Sequence, residues 1–250
     1  MNFVKQLPNN LKWLCPINCE LIRLGDPTDG GYLVPQLVVD KADSLLSLGL
    51  GENWSFDEDW HRLRPNDPIH LYDGEKTKRG FPPPDRVWNR TQPLDLISMY
   101  ENFFVDQRRH WVENIGLERG DTSFATAITR LNGNATFLKM DIEGGEYPII
   151  GDILRHRHKI IGIAAEFHSV NTNREQFQTT ILHLKAEYDI VHMHANITLP
   201  VGPEGLTEGL EITWLRKDLS TNRTLRHRVY HDLDKCNFLN FPDFEYWFEQ

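Results

Sequence analysis

The stretch Thr136-Phe-Leu-Lys-Met-Asp-Ile-Glu-Gly-Gly-Glu-Tyr147 constrains the fold more than any other. Phe137 to Met140 is a short apolar run with one lysine, the pattern of a buried strand. The run stops at two carboxylates, Asp141 and Glu143; Gly144 and Gly145 then turn the chain, and Glu146 opens a helix expected to reach Leu154. Acids at the carboxyl end of a parallel strand sit on the rim where open α/β sheets bind ligands. Alternation sends Lys139, Asp141 and Glu143 to one side and Met140 and Ile142 to the other. A plain strand–turn–helix joint with solvated acids has the same signature, so the weight falls on what surrounds it.

Upstream, Ser44-Leu-Leu-Ser-Leu-Gly-Leu-Gly51 reads as a core strand running into a glycine turn. A helix is expected from Trp54-Ser55, capped by Asn53 or Ser55 and carrying Phe56, Trp60 and Leu63. Glycine there permits close backbone approach, and a helix start presents free N–H groups to a nucleotide-like ligand. Trp54 stands where the dinucleotide fingerprint has its third glycine, which counts against an NAD or FAD site. Pro68-Ile-His-Leu-Tyr-Asp73 is the next strand, and Asp73 follows Gly51 by 22 residues. That is the place of a ribose-binding acid, with Glu75 as the near substitute; a turn residue before Gly74 is the plainer account of Asp73.

Leu94 to Val105 is a helix candidate with apolar positions Leu94, Ile97, Met99 and Phe103/Phe104, after the rigid loop Phe81-Pro-Pro-Pro84. His110 to Leu117 is the weakest strand. Ser123 precedes a helix to Leu131, ended by Asn132-Gly133. Ile160 to His168 reads as a buried strand with Ala164, Glu166 and His168 on one face. Asn171 is expected to cap a helix carrying Phe177, Ile181, Leu182 and Leu184. Tyr188 to His194 and Glu211 to Leu215 close the series, with His192 and His194 sharing a face. At the start, Leu21 to Leu24 and Tyr32-Leu-Val read as a hairpin around Gly25-Asp-Pro-Thr-Asp-Gly-Gly31, a cover for one end of the sheet whose Asp29 and Gly30-Gly31 border the ligand site in the alternative account.

Five strand–helix units followed by two loop-connected strands give an α/β layer architecture with right-handed crossovers. Gly49 to Gly51, Asp73, Asp141, Glu166/His168 and His192/His194 are then all expected at strand carboxyl ends on one rim. The domain reading is an N-terminal extension over 1–35, a core over 36–218, and a tail over 219–250 packing back on it.

A net charge of −9 argues against a surface that coats nucleic acid. Three cysteines, Cys15, Cys19 and Cys236, form no framework and fit a reducing, cytoplasmic compartment. Met1 to Asn10 lacks a secretory apolar core, and no run is long enough to span a membrane.

The segments Asp29-Gly-Gly-Tyr-Leu33, Leu46 to Phe56, Leu71-Tyr-Asp73, Leu138-Lys-Met-Asp-Ile-Glu-Gly-Gly-Glu146, Ala165-Glu-Phe-His168 and Leu210-Glu-Ile-Thr213 resemble class I S-adenosylmethionine-dependent methyltransferases of the FkbM type. The resemblance runs from about residue 20 to 217. It implies a Rossmann-like, seven-stranded, mostly parallel sheet with an antiparallel last strand, helices on both faces, and methyl transfer, usually to oxygen. Carried over by position, Gly49, Leu50 and Gly51 would hold the methionine end of S-adenosyl-L-methionine, Asp73 the ribose, and Asp141 would lie beside the reacting centre. Many members have Phe-Glu-Pro where this chain has Tyr72-Asp-Gly74, so the place of the acid is firmer than its identity.

Such a site must hold acceptor, methyl and sulfur in line and take the acceptor's proton. Asp141, Glu166 and His168 are the expected catalytic residues, with His194 a further candidate base. The same three could instead bind a divalent metal that chelates a diol, which is the less favoured cofactor. The expected acceptor is a small-molecule or glycan hydroxyl. An NAD(P)-dependent oxidoreductase and a non-catalytic binding module whose rim is blocked by the tail are the competing readings. Asp73→Ala is expected to weaken cofactor binding and leave the fold intact.

Overall fold

The computed structural model describes residues 2–83, 86, 95–238 and 241–249. In chain order, β1 (Phe3–Leu7) is followed by a 3-10 turn, Asn9–Leu14, and by the hairpin β2 (Leu21–Leu24) and β3 (Tyr32–Pro35). Then come α1 (Gln36–Lys41), β4 (Ser44–Leu48), α2 (Ser55–Leu63), β5 (Ile69–Tyr72), α3 (Leu96–Phe103) and β6 (Arg108–Trp111). The second half holds α4 (Phe124–Leu131), β7 (Thr136–Met140), α5 (Glu146–Arg155), β8 (Ile160–Phe167), α6 (Arg174–Glu187), β9 (Tyr188–Val201), β10 (Thr207–Arg216) and β11 (Phe244–Phe248).

Seven strands make one sheet in the order β6-β5-β4-β7-β8-β10-β9. Strands β4 to β8 are parallel, and β10 runs antiparallel to both of its neighbours. This is the expected α/β architecture with one reversed strand late in the chain. Every residue of β4, β5, β7 and β8 is buried, as befits parallel strands covered on both faces. Two apolar cores lie on opposite faces. Residues of α4, α5 and α6 build one with Leu46, Leu138 and Ile163; residues of α1, α2, α3 and the β2–β3 hairpin build the other with Leu45, Phe137 and Ala164. Phe137 stacks on Trp60 at 5.3 Å between ring centroids, and both rings are fully buried; each such side chain contributes about 2–3 kcal/mol by leaving water. β1 and β11 form a separate two-stranded parallel sheet that brings the two ends of the chain together.

The local chemistry explains where elements begin and end. Ser123 caps α4 by accepting from the Thr126 N–H, and Asn132 closes it in the left-handed conformation. Asp95 caps α3 through Ser98. Several expectations are corrected. The weakest strand occupies Arg108–Trp111 rather than His110 to Leu117, because the Glu113 N–H folds back on the Trp111 carbonyl and ends the ladder. Asn173, not Asn171, stands at the α6 N-cap; the Asn171 amide groups are committed to Glu208 and to the Leu206 carbonyl. Trp54 is the α2 N-cap, while Asn53 accepts from the Ser55 N–H beside it. Ile97 and Leu182 face water. Leu94 and Pro84 lie outside the described residues. Among the described residues, no helix is long and apolar enough to cross a membrane.

Candidate active site

A cleft of about 380 Å³ opens where β4, β5 and β7 run out of the sheet. It is lined by Asp29 and Gly30 from the hairpin, Gly49 to Asn53 after β4, Tyr72, Asp73, Glu75 and Lys76 after β5, Asn114, and Lys139 with Asp141 to Glu143 after β7. The structure therefore brings together Gly49, Leu50, Gly51, Asp73 and Asp141, residues far apart in the chain. Gly49 has φ +92°, and a Cβ there would meet the Asp141 carbonyl oxygen at 1.8 Å. Only glycine lets the β4 and β7 turns lie this close. Gly51, at φ +54°, has nothing within 4 Å of where its Cβ would be.

Asp73 fastens this turn. Its Oδ2 accepts from the Leu50 and Gly51 N–H groups (3.0 and 3.2 Å), and its Oδ1 from Glu75 and Lys76 (2.9 Å each). Burial pushes its pKa up, but the four amides outweigh burial and hold the carboxyl below the ordinary range. Glu75 projects from the same turn and is exposed.

The β7 end is clamped by Glu146. This side chain is fully buried; its Oε1 accepts from the Ile142 and Gly144 N–H groups and lies 3.1 Å from His168 Nδ1. Glu143 is thereby held at φ +54°, a conformation that L-residues rarely adopt, with its carboxylate on the rim. His168 Nε2 faces Glu143 at 3.4 Å, Glu166 at 3.7 Å and Asp141 at 3.9 Å. Burial alone would depress the His168 pKa; Glu146, Glu166 and Asp141 overcome it and raise the pKa to about 9. Lys139, almost fully buried, donates to the Gly49 carbonyl at 3.0 Å and lies 3.9 Å from Asp141. The Tyr32 hydroxyl donates to Asp141 Oδ2 at 3.3 Å.

Deeper still, three carboxylates converge. In the β8–β10–β9 register Glu166 is paired with Glu211, and Glu211 with His194. Asn196 donates to Glu166 Oε1 at 2.8 Å, and Asn237 to Glu211 Oε1 at 2.6 Å. Burial, with Asp141 and Glu211 nearby, pushes Glu166 well above the ordinary carboxylate pKa. Asp29 rises to about 6 through burial, Glu211 and Asp141. Two triads, Asp141/Glu143/His168 and Asp29/Glu166/Glu211, each bring ligand atoms within 4.8 Å of one another and have the chemistry to hold a divalent ion.

His192 and His194 are a correction: neither stands at a strand end on the rim. β9 continues to Val201, and both rings are buried within it. His192 Nε2 meets Asp234 at 2.8 Å. His194 is held between Glu211 (3.1 Å) and Asp243 (2.9 Å), which leaves it no nitrogen for an acceptor. Burial lowers its pKa, but these two carboxylates raise it well above the ordinary value. Sequence reasoning passed over Glu146, Asn196, Glu211 and Asn237. Glu146 was visible only as a helix opener; Asn196 and Glu211 depend on strand register between distant segments, and Asn237 on where the tail packs.

Residues 114–197, from the end of the cleft at Asn114 through α6 into β9, match the family model of the methyltransferase FkbM domain. That stretch of the chain is similar to the methyltransferase FkbM domain, a family whose cofactor is S-adenosylmethionine. Among solved structures, a fibrillarin/Nop5p complex is 9% identical, covering 70% of this chain and 72% of that one at a TM-score of 0.44. Methanococcus jannaschii fibrillarin, a pre-rRNA processing protein, is 9% identical over 72% of this chain and 68% of that one, TM-score 0.42. A precorrin-6y C5,15-methyltransferase from Geobacter metallireducens GS-15 is 14% identical over 72% and 84%, TM-score 0.38. No curated protein matches the chain.

Proposed function

We propose that this FkbM-domain methyltransferase binds S-adenosylmethionine in the 380 Å³ cleft and methylates a hydroxyl of a small molecule or glycan. The observation that carries the reading is the charge of the cleft. Its lining includes six carboxylates, Asp29, Glu52, Asp73, Glu75, Asp141 and Glu143, against two lysines. Both lysines are occupied, Lys139 by the Gly49 carbonyl and Lys76 by Glu52 at 3.7 Å. Carboxylates accept hydrogen bonds and attract cations. The residues therefore suit a ligand with an ammonium group, a sulfonium and two ribose hydroxyls, and they repel the pyrophosphate of a nicotinamide dinucleotide. Trp54 agrees: it fills an aromatic box of Phe81, Tyr100 and Phe104, leaving no glycine-type contact for a pyrophosphate turn.

When bound, S-adenosylmethionine supplies a methyl group on a positively charged sulfur, ready for attack by oxygen. Gly49 to Gly51 and the Asp73-fastened turn would hold the amino-acid and ribose end, with Glu75 also within the cleft. Asp141, hydrogen-bonded by Tyr32 and flanked by Lys139, would orient the acceptor at the reacting centre. Glu166 and Asp29 would take the proton. Their pKa values are raised by burial first and then by neighbouring carboxylates, and a positive charge beside them would lower both. A base near neutrality suits the task better than an ordinary carboxylate. His168 then serves as a fixed cation and hydrogen-bond donor rather than as the base, since its pKa of about 9 keeps it protonated at neutral pH. The imidazole would have to shed the proton on its ligating nitrogen before it could hold a metal ion.

A rim blocked by the tail would favour the non-catalytic reading, and among the described residues none of 219–250 lines the cleft. Isothermal titration with S-adenosylhomocysteine and with NAD tests the cofactor half. Binding of the first alone is expected; NAD binding, or neither, would overturn it. Transfer of labelled methyl groups to a panel of glycans, phenols and amines tests the acceptor, and label on nitrogen alone would refute O-methylation.

A further inference from the structure

A second concave region lies away from the cleft, on the α4 side of the sheet edge. It has a volume of about 330 Å³ and is lined by Pro68, His70, Gln107, Arg109, Trp111 and Arg130. The parallel register sets His70 opposite Arg109 and Tyr72 opposite Trp111. α4 spans only Phe124–Leu131, so its last turn brings Arg130 to this face and leaves the edge uncovered. The charge pattern inverts that of the cleft: two guanidiniums and no acid among the lining residues, in a chain of net charge −9.

Arg130 is pre-set. Its guanidinium lies 4.6 Å from the centre of the Trp111 ring and is paired with Glu113. Holding an arginine on an indole face removes much of the ordering cost of a later contact. Arg109 is exposed, and among the described residues its only side-chain hydrogen bond runs from Nε to the Asp106 carbonyl at 3.4 Å. His70 lies edge-on to Trp111, is 6% exposed, and its Nδ1 has no hydrogen-bond partner among the described residues. A buried nitrogen left unpaired costs about 1–3 kcal/mol, so an uncompensated one calls for a partner. Burial, Arg109 and Arg130 together lower its pKa to about 4, so the ring is neutral at pH 7.

We infer that this groove is a binding site for a small phosphate-type anion, gripped by Arg109 and Arg130 with His70 and Gln107 as neutral partners. The planar guanidinium fork matches phosphate oxygens; Arg109 has no carboxylate partner among the described residues, and Arg130, though paired with Glu113, keeps further N–H donors, so the pair fits an anion better than a neutral molecule. The site is separate from the acidic cleft, which would reject the same ligand.

Calorimetric titration of inorganic pyrophosphate into the full chain at about 50 mM salt, where screening is weak, tests the assignment. One-to-one binding is expected, weakening as salt rises. Arg109→Gln should weaken it about tenfold, the loss expected for one charge-assisted contact, with an unchanged melting curve because Arg109 is exposed. Arg130→Gln should weaken it as much; if that variant melts early, Arg109→Gln alone decides. No binding heat at millimolar pyrophosphate, or equal affinity in Arg109→Gln and the parent, would overturn the site. An oligouridine that binds tightly and that pyrophosphate does not displace would also overturn it, by assigning the groove to a nucleic-acid backbone.

Discussion

Asp73→Asn separates two roles that the sequence could not distinguish. The carboxylate accepts four backbone N–H groups, two from the β4 turn and two from its own. An amide keeps one oxygen and turns an N–H₂ toward the other pair of donors. Two charge-assisted bonds are lost and the remaining two weakened. Such bonds are worth about 1.5–3 kcal/mol each when buried; Asp73 is only part-buried, so the net cost should be about 2–4 kcal/mol. For a chain of this size that lowers the melting temperature by about 4–16 °C. The assay is thermal unfolding of the ligand-free protein by circular dichroism, beside calorimetric titration of S-adenosylhomocysteine. Stability and affinity should fall together, which revises the expectation that the fold is untouched. A ligand-free melting point within about 1 °C of the parent, with affinity lost, would refute the fastening role. The sign of the pH effect follows: the folded pKa is depressed, so this stability is present above the unfolded value of about 3.9 and is lost as pH falls through the folded pKa.

Other outcomes follow from the same geometry. Gly49→Ala should fail to fold or lose several kcal/mol, since its Cβ would overlap the Asp141 carbonyl; Gly51→Ala should cost only about 1–2 kcal/mol for its positive φ while weakening S-adenosylhomocysteine through a methyl on the cleft wall. Urea titration and calorimetry check both. Glu146→Gln should return the His168 pKa from about 9 toward its ordinary value, followed by NMR of the ring carbon. Because the His168 pKa is raised on folding, its stabilisation is complete below about pH 6.5 and fades as pH climbs through about 9; urea midpoints across that window should decline in the parent and flatten in the variant. His194→Ala should cost about 3–5 kcal/mol, since Glu211 and Asp243 are left buried without their shared cation.

What could be read from the sequence follows from the range of the interactions. The glycine turn at 49–51, the β5 acid and the Asp141 joint are local strand-to-helix signals, and the fold placed them together. The layered α/β class followed from the alternation of strands and helices; the order of strands in the sheet came only with the fold. Glu211 was invisible because its meaning comes from β10 inserting between β8 and β9, a pairing that sets three residues from separate segments in one row. His194 misled for the same reason: a histidine near a strand end reads as a rim residue until the strand proves seven residues longer, running to Val201. Asp29 sat in a turn-rich hairpin whose composition gives no hint that Asn53 Nδ2 reaches the Asp29 carbonyl and holds the loop over the cleft.

The parallel pairing of β1 with β11 has a mechanical consequence. Phe3 sits beside Phe244 and Leu7 beside Phe248, so tension drawn through the chain beyond Phe3 and beyond Phe248 pulls the two strands past each other lengthwise. All five rungs then bear the load at once instead of parting one by one. Asp243 lies immediately before the first rung of β11, so a tug from outside should reach the buried histidine clasp only after that ladder has sheared.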